Sequence, residues 1–372
     1  MSFTFVHTGD WHIGKPFGRF AAGDATVLRR ARLEAIDRLA AVARGAGAGL
    51  VLVAGDVYDG PDFGEREMRE PLARMKAYPD LAWHIIPGNH DPACAGGIWE
   101  RALRDGVPPS VTVHLEPKPV QLADGCWLLP APLAAKATER DPTEYMAAAP
   151  TPEGMLRIGL AHGSVRGFGS DQQASINIAP DRPLTAGLAY LALGDWHGVR
   201  RIGPSAWYAG TPEPDGFLDN EPGHALVVRI PGVGALPQVE TCPVGQFRWL
   251  KREIDLTRPT DLDSLEQEIG RLGPAVRNVL IEITASGRVS LAEDGDLTQR
   301  LNRIEAAVFH LSRLLDGVRL APAADDLEAL GSGILRNLAG DLVRLASDEH
   351  LAEAAAAERA LRRLYEFAEA AT

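Results

Sequence analysis

The sequence predicts a layered α/β (α+β) fold built around a buried sheet, followed by a smaller α+β region and a helical C-terminal tail. Three observations lead there. Short apolar runs alternate with helical stretches from Phe3 to Ile230, the pattern of strands covered by helices. Leu50–Ala54 is apolar at every position, as a strand buried on both faces is. A Pro- and Gly-rich stretch, Pro231 to Pro243, then interrupts the alternation, and 372 residues leave room for two or three domains of roughly 100–200 residues.

Phe3–Thr8 opens the pattern as a strand. Asp24–Arg44 follows as a helix, with Val27, Leu28, Ala31, Ala35, Leu39 and Val42 near helical spacing and arginines between them. Leu50–Ala54 is the next strand, Glu65–Tyr78 a helix and Leu81–Ile86 a third strand. Val111–Leu115 and Cys126–Leu129 read as strands joined by a Pro-containing turn. Leu156–Ala161, Leu188–Leu193, Ala206–Ala209 and Ala225–Ile230 complete the strands of the first region. Beyond Pro243 the order becomes strand (Phe247–Leu256), helix (Leu262–Leu272), strand (Arg277–Ala285) and helix (Leu297–Ala307). The chain after Leu320 is mostly helical, and Ser347–Ala371 carries Leu361, Leu364 and Phe367 on an Ala-, Glu- and Arg-rich background.

Asp plus Glu number 50 and Lys plus Arg 38, a formal charge of −12. That excludes a chain-wide basic coat, so a nucleic-acid partner needs a local basic surface or one lent by another subunit. The three cysteines, Cys94, Cys126 and Cys242, lie far apart without a CxxC pair, which excludes a disulfide framework and a thiolate zinc site. The first ten residues show neither a charged n-region nor a long apolar run. No stretch reaches ~18 apolar residues. A cytoplasmic protein with no membrane partner is the expectation.

Metal-ligating residue types recur just after the expected strands. Asp10-Trp11-His12 follows the first, and in extended chain residues two apart share a face. Gly55-Asp56-Val57-Tyr58-Asp59, Gly88-Asn89-His90-Asp91, His162-Gly163 and Gly194-Asp195-Trp196-His197 follow four more. Singly, each has a plain alternative: an Asx-turn, a strand-end Gly-Asp turn or a core histidine. Jointly they place Asp, Asn and His at the carboxyl ends of strands, where open α/β sheets keep their ligands. Asp10, His12, Asp56, Asn89, His162, Asp195 and His197 exceed the needs of one tetrahedral ion and suffice for two ions sharing a carboxylate. An O/N set without sulfur suits Mn, Fe, Zn or Co.

These five motifs, in this order, resemble the signature of calcineurin-like metallophosphoesterases. Within that superfamily, His7-Thr8-Gly9-Asp10-Trp11-His12-Ile13-Gly14 and Tyr208-Ala209-Gly210-Thr211-Pro212-Glu213 are similar to segments of SbcD-type DNA repair exonucleases, the nuclease partners of SbcC/Rad-type ATPases. The resemblance implies a β-sandwich flanked by helices in a catalytic domain over 1–243, an α+β capping domain over 244–320 and a helical tail over 321–372, whose Leu361, Leu364 and Phe367 either pack on the parent domain or dock on a partner. It implies two divalent metal ions, most often Mn. Asp10, His12 and His197 would hold one, Asn89, His162 and Asp195 the other, and Asp56 would bridge. His90 would serve the leaving oxygen, with Asp91 and Asp59 as orienting carboxylates. The family usually has Gly-His-x-His where this chain has Gly194-Asp195-Trp196-His197; a carboxylate still ligates and favours Mn or Fe.

The implied reaction is hydrolysis of DNA phosphodiesters, with an SbcC/Rad-type ATPase subunit and a second copy of the chain as further partners. Arg166, Arg200, Arg201 and Tyr208 are the candidate substrate contacts, and Arg29, Arg30 and Arg32 read as a solvated helix face. Phe168, in the Gly-rich stretch after His162, could stack on a base, while Trp11 and Trp196 would wall the site. Two alternatives stand beside this reading: hydrolysis of a small phosphate ester, and a non-catalytic scaffold within an ATPase complex.

Overall fold

A computed structural model of the chain describes residues 2–60, 63–167, 176–323, 326, 333–346 and 353–370. Contacts divide it into two compact units, Met1–Phe247 and Arg248–Thr372.

The first unit runs β1 (Phe3–Thr8), α1 (Ala22–Gly45), β2 (Leu50–Val53), α2 (Glu65–Lys76), β3 (Ala82–Ile85), α3 (Ile98–Asp105) and β4 (Val111–Val113). It continues through β5 (Val120–Ala123), β6 (Cys126–Ala131), β7 (Leu156–His162), the short β8 (Ser164–Val165) and β9 (Asn177–Ile178), and α4 (Arg182–Thr185). β10 (Tyr190–Gly194), β11 (Arg200–Arg201), β12 (Ala206–Tyr208), β13 (His224–Ile230) and β14 (Gln238–Pro243) close it. Two six-stranded sheets result, ordered β14-β13-β1-β2-β3-β4 and β11-β12-β10-β7-β6-β5. β1 to β4 are mutually parallel, as are β6, β7, β10 and β12. All their carboxyl ends therefore deliver loops to one edge of their sheet.

Three apolar layers hold this sandwich. Val6, Val51, Val53 and Trp83 of the first sheet pack on Ile36 and Leu39 of α1, Met68 and Leu72 of α2 and Trp99 of α3. Phe5, Leu52 and Val228 meet Leu128, Ile158, Leu160 and Tyr190 between the sheets. Leu129, Ala161, Leu191 and Leu193 form the outer layer of the second sheet with Met146 and Ala186. β2 is buried at all four positions, because both of its faces are covered.

The second unit is built on β15 (Arg248–Asp255), α5 (Pro259–Arg271), β16 (Val279–Val289), α6 (Leu291–Ala307) and β17 (His310–Leu320), a three-stranded parallel sheet with helical connections. Two further helices, α7 (Ile334–Ala346) and α8 (Ala354–Ala370), belong to the same unit. Leu361 and Tyr365 of α8 and Ala339 of α7 pack with Leu291.

The structure departs from the sequence expectations in identifiable places. Pro231–Pro243 is not only a break: its last six residues form β14, which pairs antiparallel with β13 and stays in the first unit. Val111–Leu115 and Cys126–Leu129 are not joined by a turn alone, since β5 lies between them and β4 and β6 sit in different sheets. α3 and β17 are not legible in the sequence, being a short helix in a loop-like context and a strand interrupted by Asp316-Gly317. Phe168, 347–352 and 371–372 lie outside the described residues.

Three imidazoles outside the candidate metal cluster are kept neutral by the fold. His7 is fully buried, accepts from Tyr190 Oη at 3.0 Å and donates to Leu193 O at 3.2 Å. His84 and His114 share a contact at 2.9 Å. Burial pulls His7, His84 and His114 down to about 3, about 4 and about 3. Below about pH 6.5 these three imidazoles bind protons in the unfolded chain but not in the native one, so each of them lowers stability as the solution is acidified from there. Each such imidazole contributes a slope of about 1.4 kcal/mol per pH unit. Removing the His7 contribution is expected to make the urea unfolding midpoint of His7→Gln fall less, between pH 7 and 5, than that of wild type.

Candidate metal centre

Five loops leave the carboxyl ends of parallel strands carrying the residues singled out above. Asp10 and His12 follow β1, Asp56 and Asp59 follow β2, Asn89 to Asp91 follow β3, His162 ends β7, and Asp195 and His197 follow β10. The loops after β1 and β2 are laced together: Asp10 N donates to Gly55 O at 3.0 Å, His12 N to Asp56 O at 2.9 Å and Asp59 N to Ile13 O at 3.0 Å. The backbone holds Asp10, His12 and Asp56 at φ of 53°, 43° and 52°, and Asp195 at 107°. Side-chain-bearing residues rarely adopt such angles, and each costs of order 1–3 kcal/mol. Gly88 makes room for the cluster, since a Cβ there would lie 2.1 Å from Asp56 Oδ1.

Ligand atoms of Asp10, His12 and His197 lie within 4.8 Å of one another, as do those of Asp10, Asp56 and His162 and those of His12, Asp56 and His90. Asp10, His12, Asp56 and His162 are all buried. The carboxylates are aimed by donors: Asp195 N donates to Asp10 Oδ1 at 3.0 Å, and His90 N to Asp56 Oδ1 at 2.9 Å. Ser164 Oγ donates to Asp195 Oδ2 at 3.0 Å, which leaves Asp195 Oδ1 at 3.9 Å from His162 Nε2. The pairing of Gly194 with His162 between β10 and β7 sets that approach.

The imidazoles are aimed at Nδ1. His162 Nδ1 donates to Ala54 O at 2.8 Å, His12 Nδ1 lies 3.1 Å from Asp59 Oδ1, and His197 Nδ1 lies 3.4 Å from Asp215 Oδ1. A proton on Nδ1 leaves each Nε2 with a lone pair directed inward. His12 Nε2 and His197 Nε2 then face one another at 3.1 Å, and His162 Nε2 faces Asn89 Oδ1 at 2.8 Å. Lone pairs at these separations repel unless a proton or a metal cation lies between them. This donor set, hard oxygen with imidazole nitrogen, fits a divalent ion such as Mn, Fe, Zn or Co.

The local field favours positive charge. Burial pushes the Asp10 carboxyl up to about 7, against the pull of His162 and His197. Burial alone would lower His162, but Asp56, Asp10 and Asp195 hold it up at about 9.

A second set of groups holds the cluster in place. Asp91 is buried and accepts from Gly88 N at 2.7 Å and Tyr58 N at 3.2 Å, tying the loops after β2 and β3. Asp59 faces His12 and lends its carbonyl to His90 Nδ1 at 3.0 Å. The His90 side chain is 44% exposed, with Nε2 left for a ligand from outside.

Several side chains sit elsewhere than the sequence suggests. Arg32 is not on a solvated face. It is buried at 2% exposure, and Nε donates to Trp11 O at 2.8 Å, Nη1 to Glu213 O at 2.8 Å and Nη2 to Asp10 O at 3.3 Å and Thr211 Oγ1 at 3.2 Å. The signal is present in the sequence: Arg32 falls on the α1 stripe of Leu28, Ala35, Leu39 and Ala43. Tyr208 is not a surface contact. It is buried, donates to Gly163 O at 2.8 Å and accepts from Val165 N at 2.9 Å, bracing the chain after His162. Arg166, Arg200 and Arg201 are exposed, and Arg201 stacks 5.6 Å over Trp207. Trp11 is buried and donates to Thr8 Oγ1, whereas Trp196 is 36% exposed. Asp215 carries no signal in the sequence, because Pro214-Asp215-Gly216 reads as an ordinary turn.

Residues 3–176 match the model of the calcineurin-like phosphoesterase family; Asp195, His197 and Asp215 lie beyond that span. TT1561 of Thermus thermophilus is similar at 14% identity and a TM-score of 0.42, over 66% of this chain and 100% of that one. A second solved structure is similar at 10% identity and a TM-score of 0.41, over 65% of this chain and 100% of that one. Among curated proteins, none matches the sequence.

Two outcomes are expected. Mn2+ at a hundredfold excess over its Kd should stabilise the chain by about 2.7 kcal/mol, read as a rise in Tm reversed by a chelator. Arg32→Met, which strips a buried cation from Glu213, Asp215 and the loop carbonyls, should cost about 3–5 kcal/mol in urea unfolding.

Proposed function

We propose that this chain is a DNA nuclease of the repair-exonuclease type, on the support of the match of residues 3–176 to the calcineurin-like phosphoesterase family, whose chemistry is metal-dependent hydrolysis of phosphoesters. The observation that carries the hydrolytic reading is the convergence of Asp10, His12, Asp56, His162 and His197, with His90 at the open edge of the same cluster. The DNA reading is supported by the nuclease-like segments around Asp10 and Tyr208 and by exposed Arg166 and Arg200 in the segments that follow the ligand motifs.

Asp10, His12 and His197 would hold one divalent ion and Asn89, His162 and Asp195 the other, with Asp56 between them. Ions held there supply Lewis-acid charge to a phosphate and lower the pKa of water. The protein does the rest. His162, aimed by Ala54 O, and His12, aimed by Asp59, keep their Nε2 lone pairs turned inward. His90, fixed through Nδ1 by Asp59 O, offers Nε2 to the leaving oxygen and holds or gives a proton there. Exposed guanidinium groups bind and orient the phosphate backbone, so a chain of net charge −12 meets DNA through local positive charge. Under the same proposal, an SbcC/Rad-type ATPase subunit and a second copy of the chain are the partners.

The test compares wild type with His90→Ala on linear duplex and single-stranded DNA in Mn2+. Wild type is expected to degrade DNA, and His90→Ala to lose about 10²–10⁴-fold in kcat while still binding Mn2+. Bis-p-nitrophenyl phosphate should suffer less, because p-nitrophenolate leaves without a proton. Hydrolysis of that ester or of cyclic nucleotides with DNA left intact would replace the nuclease reading with a small-ester phosphodiesterase.

A further inference from the structure

We propose that Asp215, locked by Lys15 and Arg32, is the positioning residue that makes His197 a metal ligand. The inference rests on the metal-centre reading above but concerns a loop that none of the ligand motifs includes.

His12 and His162 are enclosed, with 2% and 0% of their side chains exposed. His162 is also held by Ala54 O. His197 differs, for 24% of its side chain is exposed. What faces its Nδ1 is Asp215 Oδ1 at 3.4 Å. A carboxylate in that position selects the tautomer with the proton on Nδ1, orients the ring and makes Nε2 a stronger donor.

Asp215 can do this because it is itself immobilised. Its side chain is 3% exposed, and Oδ2 accepts from Lys15 Nζ at 2.7 Å and lies 3.9 Å from Arg32 Nη1. The geometry closes a ring. Lys15 N donates to His12 O at 3.2 Å, so Lys15 belongs to the turn that carries Asp10 and His12. Arg32 grips the carbonyls of Asp10 and His12. Thr211 N donates to His197 O at 3.0 Å, so the segment leading to Asp215 also holds the His197 backbone. Asp10, His12 and His197, the three ligands of one ion, are thus joined behind the site through Arg32, Lys15 and Asp215. The link spans the start of the chain and a turn 200 residues on.

The test titrates Mn2+ into the full-length wild type, Asp215→Asn and Lys15→Gln, following heat by calorimetry and the metal by electron paramagnetic resonance. Circular dichroism checks that each variant is folded. Wild type is expected to bind two equivalents with a spin-coupled spectrum. Asp215→Asn should lose about 10–100-fold in affinity at one site alone, giving the six-line spectrum of an isolated Mn2+ at two equivalents. Lys15→Gln should weaken the same site by a smaller factor. It decides the matter if Asp215→Asn does not fold, because Lys15 is partly exposed at 30%. Two sites of unchanged affinity in the folded variants would overturn the inference and leave the metal centre standing. A wild type that binds no Mn2+ would overturn the metal centre and this inference together.

Discussion

The burial of two carboxylates in one cluster is the constraint on which the rest of the first unit depends. Asp10 and Asp56 are 0% and 2% exposed, and their ligand atoms share a group with His162. An isolated buried charge is expensive, and two of the same sign more so. The fold answers with backbone donors from Asp195 and His90, with imidazoles, and with a donor set that suits divalent cations. The same arrangement that makes the cluster costly without positive charge makes it a strong receiver of it. The cluster and the architecture cannot be separated, because the sandwich brings the carboxyl ends of β1, β2, β7 and β10 to the place where those carboxylates are satisfied.

Preorganisation is maintained by the backbone. Asp10, His12, Asp56 and Asp195 hold positive φ angles that an isolated loop would not keep. The lacing of the loops after β1 and β2 keeps them there, as do Asp91 between Gly88 and Tyr58 and Tyr208 under Gly163. Beneath them Arg32 distributes its donors among the carbonyls of Asp10, Trp11 and Glu213. A single buried guanidinium thus fixes segments far apart in sequence, with a planar set of donors that no lysine could reproduce.

Much of this was legible. The run at Leu50–Val53 is apolar at every position and Phe3–Thr8 and Leu156–His162 are mostly so, and such short apolar runs read as buried strands. The ligand motifs stood out because Asp, Asn and His recur at the ends of such runs beside glycine. β14 and β5 were not legible. Their residues are about half exposed, and edge strands carry a weak apolar pattern. Arg32 was legible in principle, since it sits on the buried stripe of α1, but a charged residue among arginines reads as surface unless the stripe is followed through it.

The sequence by itself determined the strand–helix alternation, the identity of the clustered residues and the absence of sulfur among them, because these follow from periodicity and side-chain chemistry at short range. Only the tertiary structure decided which nitrogen of each imidazole faces inward, that Asp195 turns a carboxylate toward His162, and that Asp215 stands behind His197. Those outcomes depend on strand register and on contacts such as Lys15 to Asp215, between residues 200 positions apart. No local pattern encodes them, because the partners meet only after the sheets have formed.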